Sequence, residues 1–247
     1  MKNIKAIFYK QFISNLRAPV LLFYGGLFLV FMLIFSFLAT DHSCETGACV
    51  PEYICQYCEE SRFSLPDISM AGMYMVMFVG MGIVASTSAL VGEDKTTKNL
   101  RFMSMAGVTP WQYLIGTFAA MMLFSTGVIL IYTIAGGYFG LDMLVVGGVA
   151  TLGAMVSVLF GVTMGLSKYP VVTMPLAMLL GMGPMLADVN ENVAEILSFT
   201  FTQQIRIAIG ELGEGITGNL IVIGINAAVV MALFIFLNRK GKLVDDD

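Results

Sequence analysis

Charge is what this chain has least of. Only 12% of its 247 residues are Asp, Glu, Lys or Arg, about half the share that a soluble domain carries to face water. A soluble globule of this length would be left with too few polar side chains to cover itself, and lipid is the solvent that removes the need. Histidine occurs once, so His42 has no second imidazole for a catalytic dyad, and there is no H-E-x-x-H metal helix. The sequence also contains no G-x-x-x-x-G-K-[ST] phosphate loop and no G-x-S-x-G elbow, which excludes ATP hydrolysis of the P-loop kind and esterase chemistry of the α/β-hydrolase kind from these residues. Internal repeats and low-complexity tracts are missing too.

Apolar residues are what the chain has instead: 57% are hydrophobic and the mean hydropathy is +0.84. A membrane-crossing helix needs roughly 20 apolar residues to span about 30 Å of hydrocarbon. Six stretches meet or approach that length, at about 20–39, 69–91, 113–135, 144–166, 171–187 and 218–237. The fifth is the shortest and holds Pro175 and Pro184. The expected fold is a single all-α membrane domain over 1–247 with six transmembrane helices. The first stretch is too long for a signal-peptide core and no A-x-A site follows it, so it stays in the count.

The positive charges set the expected orientation. Lys2, Lys5, Lys10, Arg17, Lys95, Lys98, Arg101, Lys168, Arg239, Lys240 and Lys242 fall on one side, and only Arg62 and Arg206 on the other. Both termini are therefore expected in the cytoplasm of a multi-pass cell-membrane protein. Within 1–19, Ile4, Ile7, Phe8, Phe12 and Leu16 recur at three- or four-residue spacing among lysines. That predicts an amphipathic helix lying in the cytoplasmic interface, although plain positive flanking residues give the same pattern. In the fourth span Gly153, Ser157, Gly161 and Gly165 make one smooth face for close helix packing. The 19 Met are scattered and read as apolar filler rather than a metal stripe.

Three polar segments carry the remaining information. The outer segment 41–68 holds all four cysteines, Cys44, Cys49, Cys55 and Cys58. An even number on an oxidising face argues for two disulfides, whose pairing the sequence leaves open. The Cys55-x-x-Cys58 pair beside His42 also admits thiol–disulfide exchange or a small zinc site. Segment 188–217 is too polar to span and too apolar for a plain loop. Val193, Ile196, Leu197, Phe201 and Ile205 share a helical face, opposed by Glu191, Glu195, Gln203 and Arg206. Short helices dipping into the outer leaflet, or one resting on it, both fit.

The third segment, 92–111, runs Gly92-Glu93-Asp94-Lys95-Thr96-Thr97-Lys98-Asn99-Leu100-Arg101-Phe102-Met103-Ser104-Met105-Ala106-Gly107-Val108-Thr109-Pro110-Trp111. A mixed-charge run is followed by a short predicted helix from Leu100 to Met105, with Gly107 as its stop and Thr109-Pro110 capping the third span. Taken alone it also reads as a solvated turn. From Glu93 to Thr117 the sequence resembles the signature of ABC-2 type transporter permeases: an acidic and a basic residue, a Leu-containing helix, then a Thr-Pro turn into a span. Thr96 stands where that family often has Gly, and Thr117 follows Gly116 where Lys is frequent. The resemblance covers about 25 residues in motif and the whole chain in layout.

What the resemblance implies is the membrane subunit of an ATP-driven exporter. ATP and Mg would be bound by a separate ATPase, present in two copies, and two permease chains, identical or homologous, would pack in the bilayer. No nucleic-acid partner and no cofactor in this chain are expected. Glu93, Asp94, Lys95, Thr96, Thr97, Lys98, Leu100, Arg101 and Met105 would couple to the ATPase. Segment 188–217, with Glu195, Phe199, Phe201, Gln203 and Arg206, would form an extracellular gate. Ser86, Thr87, Ser88 and Asn226 are candidates for a substrate path, although hydroxyls near a helix end often bond only their own backbone and Asn226 also suits helix packing. No Asp, Glu, Lys or Arg is expected inside a span, which argues against a proton- or ion-coupled carrier. Two other classes remain open: a membrane thiol oxidoreductase using the outer cysteines, and a non-enzymatic immunity or sensor protein.

Overall fold

The computed structural model describes residues 2–17, 20–40, 70–167, 172–187, 191–210 and 216–237. The cysteine segment 41–68, with His42, lies outside them, as do Lys168, Asp188 and the basic tail Arg239, Lys240 and Lys242. In chain order the helices are α1 (Lys2–Arg17), α2 (Val20–Thr40), α3 (Met70–Met77), a π turn (Phe78–Gly82), α4 (Ile83–Thr96), α5 (Asn99–Met105) and α6 (Pro110–Ala135). There follow α7 (Leu141–Leu166), α8 (Thr173–Ala187), α9 (Glu191–Leu197), α10 (Phe201–Gly210) and α11 (Ile216–Leu237). No strand occurs among the described residues.

Among the described residues, four helices are long and apolar enough to cross a membrane: Ala71–Thr96, Pro110–Ala135, Leu141–Leu166 and Ile216–Leu237. The pair α1 and α2, bent by 48°, passes the same test together and brings the number to five. Pro19 lies between them in sequence and has no amide hydrogen with which to continue a helix. The apolar helix α8 is 15 residues long, about 22 Å at 1.5 Å per residue, which is short of the hydrocarbon thickness. The protein is thus an all-helical, membrane-embedded bundle.

At its centre α7 touches α4, α6, α10 and α11, and its small residues are the reason. A Cβ on Gly161 would sit 2.7 Å from Thr87 Cβ, and one on Gly165 would sit 2.7 Å from Val91 Cβ. The two backbones approach as closely as glycine allows. Contacts advance in step from Val79 to Val91 on one helix and from Gly153 to Gly165 on the other, so α4 and α7 run side by side in the same direction. The expected smooth face is the seam of the bundle.

The π turn interrupts the second stretch where α8 crosses it. A wide turn loosens the regular carbonyl pairing, and neighbouring hydroxyls take up the slack. Ser157 Oγ donates to Val79 O at 2.7 Å and Ser86 Oγ donates to Gly82 O at 2.7 Å. On the facing helix Pro184 lacks the amide that would bond Leu180 O. Gly80 lies against that same carbonyl, where a Cβ would come within 2.7 Å. Two helix irregularities therefore meet at one crossing.

The amphipathic helix α1 packs along α6. Part of its stripe covers protein, while Leu16 at the far end is 55% exposed. Ile7 fills the notch over Gly116, Phe12 stacks on Phe124 with ring centroids 5.2 Å apart, and Asn3 Nδ2 reaches Gln112 Oε1 at 3.4 Å. Further along, Asn15 Nδ2 reaches Met121 Sδ at 3.3 Å. The partners climb α6 as α1 proceeds, so α1 follows α6 instead of lying across its end. Gln11 and Asn15, both buried, are four residues apart and fall inside the arc of Ile4, Ile7, Phe8 and Phe12. An amide in the middle of an apolar stripe suits a fitted protein contact better than a lipid one.

Candidate functional site

The mixed-charge run after the second stretch is not a loop. Helix α4 continues through Glu93, Asp94 and Lys95 to Thr96, which turns Asp94 inward until only 5% of it is exposed. Asp94 lies three residues beyond the second apolar stretch, on the same continuous helix Ala71–Thr96. A carboxylate drawn out of water must be paired and hydrogen-bonded, and four side chains do this. Lys10 Nζ makes an ion pair with Asp94 Oδ1. Gln11 Nε2 donates to Oδ2 at 2.7 Å and Tyr113 OH donates to Oδ2 at 2.9 Å. Asn99 Nδ2 lies 3.4 Å from Oδ1. One carboxylate thereby joins α1, α4, the first residue of α5 and the first turns of α6. Lys10, Gln11 and Tyr113 escape a motif reading because their charge and polarity look like flank and stripe. The one available sign is that Gln11 sits on the apolar arc of α1.

Around this hub the short helix α5 is fixed at both ends. At its start Lys98 adopts the left-handed region with φ 60°, which is uncommon for a residue with a Cβ. The preceding turn is closed on Glu93 O, which accepts from Thr97 N at 2.9 Å, Thr97 Oγ1 at 2.7 Å and Thr96 Oγ1 at 3.0 Å. Lys95 Nζ reaches over to Ser167 O at 2.8 Å, tying the ends of α4 and α7. At its far end Gly107, φ 77°, turns the chain, with Val108 N bonded to Met103 O at 3.0 Å and Gly107 N to Ser104 O at 3.0 Å. That pattern is a Schellman stop. Thr109 then caps α6 in a reciprocal box with Gln112, and Pro110 is the first helical residue. The expected stop at Gly107 and cap at Thr109-Pro110 are both present.

The residues expected to couple to a partner therefore divide. Asp94 and Leu100 are buried in the chain's own structure, and the hydroxyls of Thr96 and Thr97 close the end of α4. Glu93, Lys98, Arg101 and Met105 are exposed. Phe102, which the sequence reading passed over, stands 64% exposed beside Met105 at 67%. The outward face of α5 thus presents two basic groups and two large apolar ones.

At the opposite end of α8 the helices α9 and α10 form a corner. Thr200 Oγ1 donates to Leu197 O at 2.7 Å, and Gln204 Nε2 donates to Ser198 O at 2.5 Å. Asn226 Nδ2 donates to Phe199 O at 2.9 Å from α11. Beyond the corner α10 enters the bundle. Ile205 lies against Gly153, halfway along α7, and Phe201, Thr202, Gln203, Gln204, Ala208 and Ile209 are all buried. Protein therefore covers most of α10. Among the expected gate residues, Phe201 and Gln203 are inside and Arg206 is half-buried, whereas Glu195 and Phe199 are exposed. Ile196, expected on the buried face, is exposed as well. The substrate-path candidates do not converge. Ser86 bonds the carbonyls of Gly82 and Ile83, Thr87 and Ser88 are buried in the α4 seam, and Asn226 holds the α9–α10 corner. No family model, no curated protein and no solved structure matches the chain.

Proposed function

We propose that this chain is the membrane subunit of an ATP-driven exporter, working with a separate ATPase that binds ATP and Mg. In this reading the bundle has six spans: the four long helices together with α2 and the short α8. Both termini and α5 face the cytoplasm of the cell membrane, and a second permease chain, identical or homologous, completes the transporter. The observation that carries the proposal is α5 itself. A seven-residue helix between two spans is stopped at Gly107 and rooted through Asp94 in α1 and α6, while Lys98, Arg101, Phe102 and Met105 stay uncovered. A rigid, side-chain-anchored helix with a bare basic and aromatic face is suited to receive force from a soluble partner. Two exposed large apolar side chains beside a guanidinium have the make-up of an interface hot spot.

Closure of two ATPase subunits on ATP would carry the two α5 helices together. Because Asp94 binds α1, α4, α5 and α6 at once, those elements would follow as one body, narrowing the inner side and opening the outer side near α9 and α10. The test is purification of the tagged chain from mild detergent, followed by mass spectrometry of what accompanies it. A stoichiometric ATPase is expected, lost on Arg101→Glu combined with Phe102→Ala while the chain still elutes as a folded species. Recovery without an ATPase in several detergents would overturn the reading, and the redox state of the four cysteines would become the next measurement.

A further inference from the structure

Helix α1 has two faces, and its contacts with α6 and Asp94 use only one of them. Ile7, Gln11 and Asn15, all buried, fall within an arc of about 80° at 3.6 residues per turn. Centred opposite is an arc of about 120° that holds Lys5, Ala6, Tyr9, Leu16 and Arg17, and all five are exposed. Tyr9 stands 65% and Leu16 55% uncovered. Lys10, at the edge of this arc, is engaged by Asp94. Lys5 and Arg17 make no ion pair among the described residues, and the chain has no acid before Asp41. The outward face of α1 therefore carries two cations without a counter-charge.

Its surroundings follow from what lies at either end. Asn3 reaches Gln112, the neighbour of Trp111, the chain's one tryptophan, which is exposed in the first turn of α6. Tryptophan favours the membrane–water boundary, so α1 starts near that boundary and Lys5 lies close to it. Toward the other end the exposed apolar side chains Leu16, Val20, Phe23, Leu27 and Val30 recur at three- or four-residue spacing. The open side of α1 thus runs on into the open apolar side of α2. Lipid covers a surface of that kind, and a soluble partner does not reach along it. Arg17 stands beside these apolar groups, about 18 Å along the axis from Lys5 at 1.5 Å per residue. A guanidinium next to hydrocarbon is costly without an anion, and its long stem lets the head run back toward the boundary. The anion to be met there is a lipid phosphate.

We propose that the outward face of α1 binds an anionic phospholipid of the leaflet at the α5 end. Arg17 reaches its phosphate from the acyl side and Lys5 from the aqueous side, with Tyr9 between them at headgroup level. The planar guanidinium makes two parallel bonds to phosphate oxygens, the ammonium adds a mobile charge, and the phenol rests its ring on acyl chain while its hydroxyl donates outward. Lys10 and Gln11 hold Asp94 from the same helix, so a lipid seated here braces α1 against the hub from outside. The site does not depend on the exporter reading, because it needs only the membrane.

Native mass spectrometry of the whole chain in mild detergent, titrated separately with phosphatidylglycerol and phosphatidylcholine, tests this. The first phosphatidylglycerol is expected to bind about 20-fold more tightly than the first phosphatidylcholine, since each cation near an anionic lipid contributes about a factor of five. Lys5→Gln and Arg17→Gln are each expected to lose about fivefold of that preference, with phosphatidylcholine binding unchanged because both positions are exposed. Equal binding of the two lipids by the wild-type chain would overturn the proposal and give the face to a protein partner, whether or not the variants fold. So would a preference that survives Lys5→Gln combined with Arg17→Gln, because it would then reside on other cations.

Discussion

The two ends of the bundle are held by different chemistry. At the α5 end one buried carboxylate collects Lys10, Gln11, Asn99 and Tyr113 from three other helices. At the α9–α10 end, hydroxyls and amides of Ser198, Thr200, Gln204 and Asn226 bond to nearby backbone carbonyls. The first arrangement is all or none: an ionised group inside a low-dielectric bundle tolerates the loss of no partner, so its four helices move as one. The second is divisible, since each bond is neutral and gives way without stranding a charge. The exporter proposed above would use this asymmetry, rigid where it is pushed and compliant where it yields.

The largest expected effect therefore comes from breaking the carboxylate hub. Asp94→Ala strands a lysine, two amides and a phenol, and breaking such a pair costs about 3–5 kcal/mol, at the lower end here because Lys10 is partly exposed. Thermal unfolding in detergent, followed by size-exclusion elution, should show a clear fall in midpoint. Limited proteolysis should release α1 first. A midpoint within error of wild type would mean that the hub does not bind the end together. The next largest effect belongs to the crossing between the ends. Gly80→Ala sets a methyl 2.7 Å from Leu180 O, and since that neighbour is backbone, the helices must part at a cost of about 1–3 kcal/mol. Gly224→Ala, with nothing within 4 Å of its added methyl, is the control and should be neutral or slightly stabilising, because alanine favours the helix.

How much of this was legible beforehand follows from the same contrast. Long apolar runs announce themselves, so the helices of the bundle fall where the hydropathy puts them, and the stop at Gly107 and the cap at Thr109-Pro110 follow from residue chemistry alone. The turn at 198–200 also carries a signal, in Thr200 three residues before Gln203, a capping pattern. Asp94 was misjudged because a mixed-charge run after a span reads as solvated. Only the continuation of α4 through Thr96 turns that one residue inward while its neighbour Glu93 stays outside. The packing of α1 on α6 is hidden for a related reason, since an apolar stripe does not say whether lipid or protein covers it. Gln11 and Asn15 within the stripe were the available clue. The π turn has no sequence mark beyond Gly80 and Gly82, and its partners Ser157 and Leu180 are distant in the chain.

At the divisible end Asn226→Ala removes one amide bond to Phe199 O. Hydrogen bonds between membrane helices contribute about 0.6 kcal/mol on average and about 1.7 at most, so the loss should be small and local. Hydrogen exchange should quicken at 198–204 while the α4–α7 seam keeps its protection. A global loss of protection would make this end as cooperative as the other and would abolish the contrast.

The smallest effect on stability should fall on the face with the largest proposed role. Arg101, Phe102 and Met105 are exposed on α5, while the helix itself is held by Leu100, Asn99 and the stop at Gly107. Substituting Phe102 or Arg101 by Ala should leave the stability within about 0.5 kcal/mol of wild type, as exposed sites away from caps and cores do. Asp94→Ala disturbs fold and partner binding together, whereas the α5 face variants should separate them, with the fold kept and the companion ATPase lost in copurification. If Phe102→Ala instead lowers stability as Asp94→Ala does, the exposed face is itself packed in the working protein. The divide between an anchored root and a free outer face would then have to be redrawn around whatever covers Phe102.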